Sequence, residues 1–279
     1  MAGGNHATSG GTPAPIPRAW RDRTTFVTGA ALIGFAGVAW IGVVLQGMDM
    51  PPGMTGDADS ASLPGAAVFL TAWGVMMVAM MLPSATPMIV LYERVSRNRS
   101  HSDRYAIPTV LFAAIYLAIW LGFGILVYLA GLVLNALADA NAGVADWFPY
   151  GLAAVLLAAG IYQFTALKQS CLRYCRTPVS FLMARWRSGY AGTARLALAH
   201  AAYCIGCCAG LMLVLVAAGA MSLPWVLLIA AVVFVEKLLP SGDAVARIVG
   251  VGFVLVGLSI ALDPSLATML RGSTMSPSK

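Results

Sequence analysis

Residues 196–219 read LALAHAAYCIGCCAGLMLVLVAAG. This stretch contains no Asp, Glu, Lys or Arg and exceeds the roughly 20 apolar residues that a helix needs to cross a bilayer. It also contains His200, Cys204, Cys207 and Cys208. At about 100° per residue, these four side chains form a stripe roughly 80–100° wide on one helix face. The stretch therefore predicts a membrane helix that carries ligands for a soft metal ion.

The rest of the chain is similarly apolar. Its 279 residues are 59% hydrophobic and 10% charged, with a mean hydropathy of +0.82, whereas soluble domains carry about 25% charged residues. Seven apolar stretches are candidate spans: 26–46, 64–91, 106–134, 149–167, 196–219, 223–239 and 247–262. The last two are short enough to form a re-entrant or tilted hairpin instead. We expect an all-α, polytopic membrane protein with about seven transmembrane helices, which excludes the soluble globular classes.

Basic residues predict the orientation of these spans. They precede the first span and follow the second and the fourth, whereas the first and third connections contain no Lys or Arg. Positively charged residues stay on the cytoplasmic side, so we expect a cytoplasmic N-terminus and a bacterial-type inner membrane. This topology accounts for the net charge of +6. The lipid bilayer is thus the expected partner, and no nucleic-acid partner is indicated.

The ends of the chain differ in composition from the spans. Residues 1–17 are rich in Gly, Pro, Ser and Thr, a composition typical of disorder. We expect a disordered N-terminal segment over 1–25, a helical transmembrane domain over 26–262 and a disordered C-terminal tail over 263–279.

All five cysteines fall on the predicted cytoplasmic side, where thiols are kept reduced. Cys171 and Cys175 follow the fourth span at a helical spacing, and the connection after them could fold both against the mouth of the fifth span. Thiolate and imidazole ligands together suit copper or zinc. The alternative is that these cysteines pack as small apolar residues.

Two groups of methionines favour Cu(I) over Zn(II), because thioether sulfur binds Cu(I). Met76 and Met80 share a stripe of the second span with Pro83 and Pro87. Each proline frees a backbone carbonyl and favours a kink, around which methionine could equally be a flexible filler. Met48 and Met50 belong to a second group on the outer side, after the first span, and are candidate capture ligands.

One carboxylate near the cytoplasmic end of the sixth span is a candidate proton relay. Glu236 precedes Lys237. It could relay protons or close a metal site. It could equally pair with Lys237 or Arg247 at the membrane interface while Lys237 extends towards water.

Three blocks of sequence carry a resemblance to a known family. They are W-x2-MM-x2-MMLPSATP at residues 73–87, Y-Q-x-T-x-LK-x2-CL-x2-CR-x-P at 162–178 and H-x3-C-x-GCC-x2-LM at 200–212, followed by Glu236 and Lys237. Together they resemble the predicted metal-binding integral membrane proteins grouped as domain of unknown function 2182, over residues 64–239. The resemblance implies a helical membrane domain with a metal role and no settled activity.

These observations favour a membrane protein that binds Cu(I) for metal handling or transport, with a metallochaperone or a membrane-complex subunit as a possible partner. An ion would be captured by Met48 and Met50, pass Met76 and Met80, and reach the stripe formed by His200, Cys204, Cys207 and Cys208. The sequence has no ATP-binding motif, so any transport would be passive, coupled to protons or driven by a partner. An enzyme is less expected than a metal-binding protein. The alternatives are a thiol-based redox subunit, for which Cys204 and Cys207 have a suitable spacing, and an assembly subunit of a larger membrane complex.

Overall fold

The computed structural model describes residues 23–49, 62–100, 106–141, 143, 147–219 and 222–270. Within these ranges the regular structure is entirely helical. The helices are α1 (Arg23–Asp49), α2 (Leu63–Ser100), α3 (Ala106–Ala140), α4 (Phe148–Gln163), α5 (Ala166–Arg176), α6 (Pro178–Arg185), α7 (Gly189–Gly219), α8 (Leu223–Leu238), α9 (Gly242–Leu262) and α10 (Ser265–Leu270). The expected all-α class is confirmed.

Five helices are long and apolar enough to cross a membrane, namely α1, α2, α3, α7 and α9. The pair α4 and α5 would be a sixth span, but its two helices are bent by 64°. With 16 residues, α8 is about 24 Å long, which is shorter than the roughly 30 Å hydrocarbon core. The bundle is compatible with a protein that crosses a membrane several times, and the count of seven spans stays a prediction.

The centre of the bundle is α7, which packs against α3, α4, α5 and α8. Half of its most apolar window is buried, compared with 11% of the equivalent window in α1. Because α1, α3 and α9 lie towards the outside, they present large apolar side chains outward, among them Phe26, Val110 and Ile248. An apolar exterior around a partly polar centre is the pattern of a bundle that faces lipid.

Contacts between helices establish their relative directions. Phe112 and Tyr116 of α3 contact His200 and Cys204 of α7 in the same order along the chain, so α3 and α7 are parallel. By contrast, α2 is antiparallel to α3, with Trp73 donating a hydrogen bond from Nε1 to the carbonyl of Trp120 at 3.0 Å. Such antiparallel packing of consecutive helices is typical of a bundle with short connections.

Helices α4 and α9 approach each other closely at glycines. A Cβ added to Gly160 would lie 2.8 Å from the carbonyl oxygen of Gly250, and a Cβ on Gly250 would lie 3.0 Å from that of Gly160. Only residues without a side chain permit such proximity, as in other membrane bundles. This close contact fixes the last turn of α4 against α9.

The chain bends between α4 and α5. Thr165 adopts an extended conformation and caps α5, because its Oγ1 accepts a hydrogen bond from the backbone N–H of Lys168 at 3.3 Å. Such a cap starts a new helix in a new direction. As a result, α5 packs against α7 and brings its buried face to the cysteines there.

A short final helix, α10, follows α9 within the segment expected to be a tail. The carboxylate of Asp263 accepts hydrogen bonds from the backbone N–H and the Oγ of Ser265, at 3.1 and 2.6 Å. These bonds stabilise the ionised carboxylate and hold the pKa of Asp263 below its usual value.

Candidate metal centre

Three cysteine sulfurs meet on the buried face of α7. Cys204, Cys207 and Cys208 occupy positions i, i+3 and i+4 of this helix, and their Sγ atoms all lie within 4.8 Å of one another. Each of these residues is only 1% exposed. The Sγ atoms of Cys207 and Cys208 are 3.5 Å apart. We call these residues the cysteine triad.

The sulfur of Cys204 has two polar neighbours from other helices. Tyr116 of α3 places its hydroxyl 3.0 Å from this sulfur, and Lys237 of α8 donates to it from Nζ, also at 3.0 Å. Lys237 donates in addition to Oγ of Ser84 in α2 at 3.2 Å. Four helices therefore contribute to the surroundings of Cys204.

A buried ion pair lies on the other side of the cysteine triad. Nζ of Lys168 is 2.6 Å from Oε2 of Glu236, and it also donates to the backbone carbonyl of Cys207 at 2.6 Å. The second carboxylate oxygen, Oε1, accepts from Nε2 of Gln163 at 3.1 Å. Since Lys168 and Glu236 are each 1% exposed, this network joins α4, α5, α7 and α8 inside the bundle.

The two cysteines of α5 lie against α7, but in different settings. Cys171 is buried, and a Cβ on Gly206 would lie 2.6 Å from its sulfur. Cys171 therefore fills a notch left by glycine. Cys175 is partly exposed, and its sulfur is 3.7 Å from the sulfur of Cys207. The fold thus gathers four cysteine sulfurs into one cluster and packs the fifth beside it.

His200 lies one turn before the cysteine triad on the same helix. Its imidazole is surrounded by the rings of Phe112, Tyr116 and Phe181, with centroids 6.0, 5.6 and 5.9 Å away. The residue is buried, with 5% of its surface exposed. These rings restrict the orientation of the imidazole, which is set in an aromatic enclosure next to the sulfurs.

The predicted methionine ligands divide between described and undescribed parts of the chain. Met76 and Met80 are buried in α2. Ser84, which reaches the site through Lys237, is one turn beyond Met80, or about 6 Å along the axis. Met48 falls in the last turn of α1, but its side chain and the whole of Met50 lie outside the described residues.

The structure gives Glu236 and Lys237 other partners than the sequence predicts, and it adds Tyr116 as a neighbour of the sulfurs. Glu236 pairs with Lys168 rather than with Lys237 or Arg247, and Lys237 points to Cys204 instead of extending towards water. Tyr116 is buried within the span of α3. The sequence shows Glu236 and Lys237 as a charged pair at the end of an apolar stretch, which is the signal available for them. Their partners, Lys168 and Cys204, lie on other helices and are not evident from the sequence.

This arrangement fits a soft metal ion. Thiolate sulfur is the ligand type that selects Cu(I) and zinc, and the cysteine triad supplies three such groups at short range. A copper–thiolate group is anionic, and the ammonium group of Lys237 provides positive charge beside it. Burial excludes water and competing small ligands.

A family model described as a copper chaperone, PpoB2, matches residues 70–260. The chain belongs to this copper chaperone family. The match includes the cysteine triad, both α5 cysteines and the polar residues around them, and it begins after Met48 and Met50. A metal-related family, expected from the sequence, is confirmed at this level, and membership of domain of unknown function 2182 stays a prediction. No curated protein and no solved structure matches the chain.

Proposed function

We propose that this protein is an integral membrane copper chaperone that holds Cu(I) on the sulfurs of Cys204, Cys207 and Cys208. The observation that carries this proposal is the cysteine triad, buried in the central helix with all three sulfurs within 4.8 Å. Cu(I) is favoured over Zn(II) because the family is described as a copper chaperone and because Met76 and Met80 are buried in α2, the helix whose Ser84 contacts Lys237. His200 is a candidate further ligand, one turn away.

The membrane setting is part of the proposal. The outward apolar side chains of α1, α3 and α9 would contact lipid, and the parallel directions of α3 and α7 favour a crossing by the bent pair α4 and α5 between them, as seven crossings from a cytoplasmic N-terminus would require. In this orientation, the segment after α1 that contains Met48 and Met50 would face the outer side, and the buried Met76 and Met80 of α2 would precede Ser84 by about two turns and one turn. An ion could therefore follow sulfur ligands along the bundle.

Metal content of anaerobically purified protein tests the site. Wild-type protein, offered Cu(I) and Zn(II) separately, is compared with the variant Cys204→Ala/Cys207→Ala/Cys208→Ala by elemental mass spectrometry. We expect about one copper per wild-type chain and a loss of copper in the variant, since the soft ligands are gone. Cys171→Ala is the matched control, because it removes a buried thiol outside the triad and should keep its copper.

Negligible copper in both proteins, with the variant still helical and monodisperse, would contradict the proposal. Retention of copper in the triple variant would place the metal elsewhere in the chain. If the wild-type protein bound more zinc than copper at equal concentrations, the metal site would be supported but Cu(I) as the bound ion would be contradicted.

The alternative of a thiol-based redox subunit has one observation in its favour, the 3.7 Å separation of the sulfurs of Cys175 and Cys207. These two thiols are close enough to form a disulfide after small movements. Thiol titration before and after mild oxidation separates the two functions. Reversible loss of two thiols at a physiological potential, in protein that binds no copper, would favour the redox function.

A further inference from the structure

Four of the five cysteine sulfurs form one cluster, and their accessibility differs within it. Cys204, Cys207 and Cys208 are each 1% exposed, whereas Cys175 is partly exposed. The two settings touch, since the sulfurs of Cys175 and Cys207 are 3.7 Å apart. The cysteine triad is therefore closed off from the surface, and Cys175 is the residue of the cluster with the most exposed surface.

The position of Cys175 on its helix explains its exposure. It lies in the last turn of α5, on the face of the helix that also carries the buried Lys168 and Cys171. Arg176, the next residue, donates to Asp243 at 3.2 Å and to the carbonyl of Pro240. Cys175 thus lies at the end of α5, where the helix meets the turn between α8 and α9.

We propose that Cys175 and Cys207 form a second, two-sulfur Cu(I) site, through which copper enters and leaves the buried cysteine triad. This inference rests on the proposed copper function. Two thiolates are sufficient ligands for Cu(I), which is soft and accepts low coordination numbers. Cys207 belongs to both sites, so the ion need not be released between them.

The transfer is a ligand exchange without a change of oxidation state. The sulfur of Cys175 bonds to the ion while Cys207 remains bound, and the bonds to Cys204 and Cys208 then break. Copper stays Cu(I), so no electron acceptor is needed. The thiol proton that Cys175 loses as its Cu–S bond forms passes within the sulfur cluster to the departing thiolate of Cys208, and the thiolate of Cys204 stays beside the ammonium of Lys237. When the ion then passes to an external thiolate or chelator, Cys175 and Cys207 each take up one proton from the solvent or from the external ligand.

The buried ion pair of Lys168 and Glu236 helps to keep the two copper sites next to each other. Lys168 is two turns before Cys175 on the same helix, and it donates to the backbone carbonyl of Cys207 at 2.6 Å. Cys171, between them, packs into the notch at Gly206. These contacts fix α5 against α7, so the two sulfurs are held near each other before any metal binds.

The chain supplies its own matched control. Cys171 and Cys175 belong to the same helix, one turn apart, but only Cys175 touches the cysteine triad. The experiment loads the full-length protein with one Cu(I) per chain under anaerobic conditions and mixes it with excess bicinchoninate, a chromogenic Cu(I) chelator. Absorbance of the chelate gives the release rate, and equilibrium competition gives the affinity.

We expect Cys175→Ser to keep its copper at equilibrium but to release it at least about tenfold more slowly, which corresponds to a barrier rise of about 1.4 kcal/mol. Cys171→Ser should match the wild type in both measurements. Cys175→Met should recover much of the rate, because a thioether also binds Cu(I). Such recovery separates ligation from a packing effect.

Release from Cys175→Ser at the wild-type rate would overturn the second site. Loss of copper at equilibrium, as large as that in Cys207→Ser, would also overturn it by making Cys175 a permanent ligand. An inability of the wild-type protein to bind Cu(I) would contradict the proposed function itself and is recognised before any rate is measured.

Discussion

At the scale of single residues, Cys204 differs from its two neighbours in the triad because two donors approach its sulfur. The ammonium of Lys237 is 3.0 Å away, and the hydroxyl of Tyr116 is at the same distance. Inside a bundle, a nearby positive charge acts more strongly than it would in water. Lys237 therefore offsets the negative charge of a copper–thiolate group without binding the metal.

Replacing Lys237 by Gln should weaken copper binding while leaving the fold intact. We expect the Cu(I) affinity to fall about 10- to 100-fold, the usual effect of losing a group that supports metal ligands. Competition with bicinchoninate measures this change. Arg247→Gln is the control, because it removes one exposed positive charge from α9. Wild-type affinity in Lys237→Gln would show that this ammonium has no part in the site.

The close contact at Gly206 leads to a prediction about packing rather than about metal binding. A Cβ at this position would be 2.6 Å from the sulfur of Cys171, so Gly206→Ala should destabilise the protein by about 1–3 kcal/mol, as overpacking does. The double variant Gly206→Ala/Cys171→Ala removes the clash and should recover most of the loss. Thermal unfolding in detergent measures both. Additive losses in the double variant would rule out a direct contact.

The sequence predicts the residues of the triad but not their neighbours. Cys204, Cys207 and Cys208 share a helix, so the helical period alone places their sulfurs together. Lys237 lies 33 residues after Cys204 in the sequence, and Tyr116 lies 88 residues before it, each on a different helix. Which face of α3 or α8 turns towards α7 depends on packing between helices, and no short-range pattern encodes it.

At the scale of helices, the site depends on two breaks in the helical chain that lie close together in the fold. One is the bend of 64° between α4 and α5, and the other is the turn between α8 and α9. The ion pair of Lys168 and Glu236 joins them across the core. The sequence indicates both interruptions through short apolar stretches and turn residues, but it does not reveal that a buried ion pair links them.

Breaking this ion pair should destabilise the bundle strongly. Lys168→Met leaves the carboxylate of Glu236 buried without its counter-charge, and we expect a loss of about 3–5 kcal/mol. In Lys168→Met/Glu236→Gln no charge is left in this position, so the loss should be smaller. Chemical unfolding in detergent, followed by helical circular dichroism, measures both variants. Equal losses in the two variants would mean that the charge itself contributes little.

The single variants Lys168→Met and Glu236→Gln, taken together, test Glu236 as a proton relay. The carboxylate of Glu236 is held by Lys168 and Gln163, and it in turn holds the lysine that contacts the carbonyl of Cys207, which predicts a positioning role. If the role is positional, Lys168→Met should slow copper release about as much as a change at Glu236 does. The comparison uses the chelator assay and needs no assumption about proton movement.

At the scale of the whole molecule, contacts between helices give the relative directions of α2, α3 and α7. Because α3 and α7 are parallel, a chain that spans a bilayer has to cross it once between them, at the bent pair α4 and α5. The hairpin of α8 and α9 is the part of this topology that needs a test, because α8 has only 16 residues. Arg176 belongs to the basic segment that follows α4, and it donates hydrogen bonds to Asp243 and Pro240 in the turn between α8 and α9. We therefore expect this turn to lie on the same side of the membrane as the basic segment.

Residues at this turn should therefore be reachable only from the cytoplasmic side. In a background that carries Cys175→Ala, a membrane-impermeant maleimide should label Ser241→Cys in inverted vesicles but not in right-side-out ones. Asn141→Cys, at the end of α3, should show the reverse pattern. Positively charged residues near the turn stay on the cytoplasmic face, which is the reason for this expectation. Protection of Ser241→Cys in both preparations, with Asn141→Cys labelled as expected, would mean that α8 and α9 form a re-entrant hairpin. The cysteine triad would then lie deeper in the membrane than seven crossings imply.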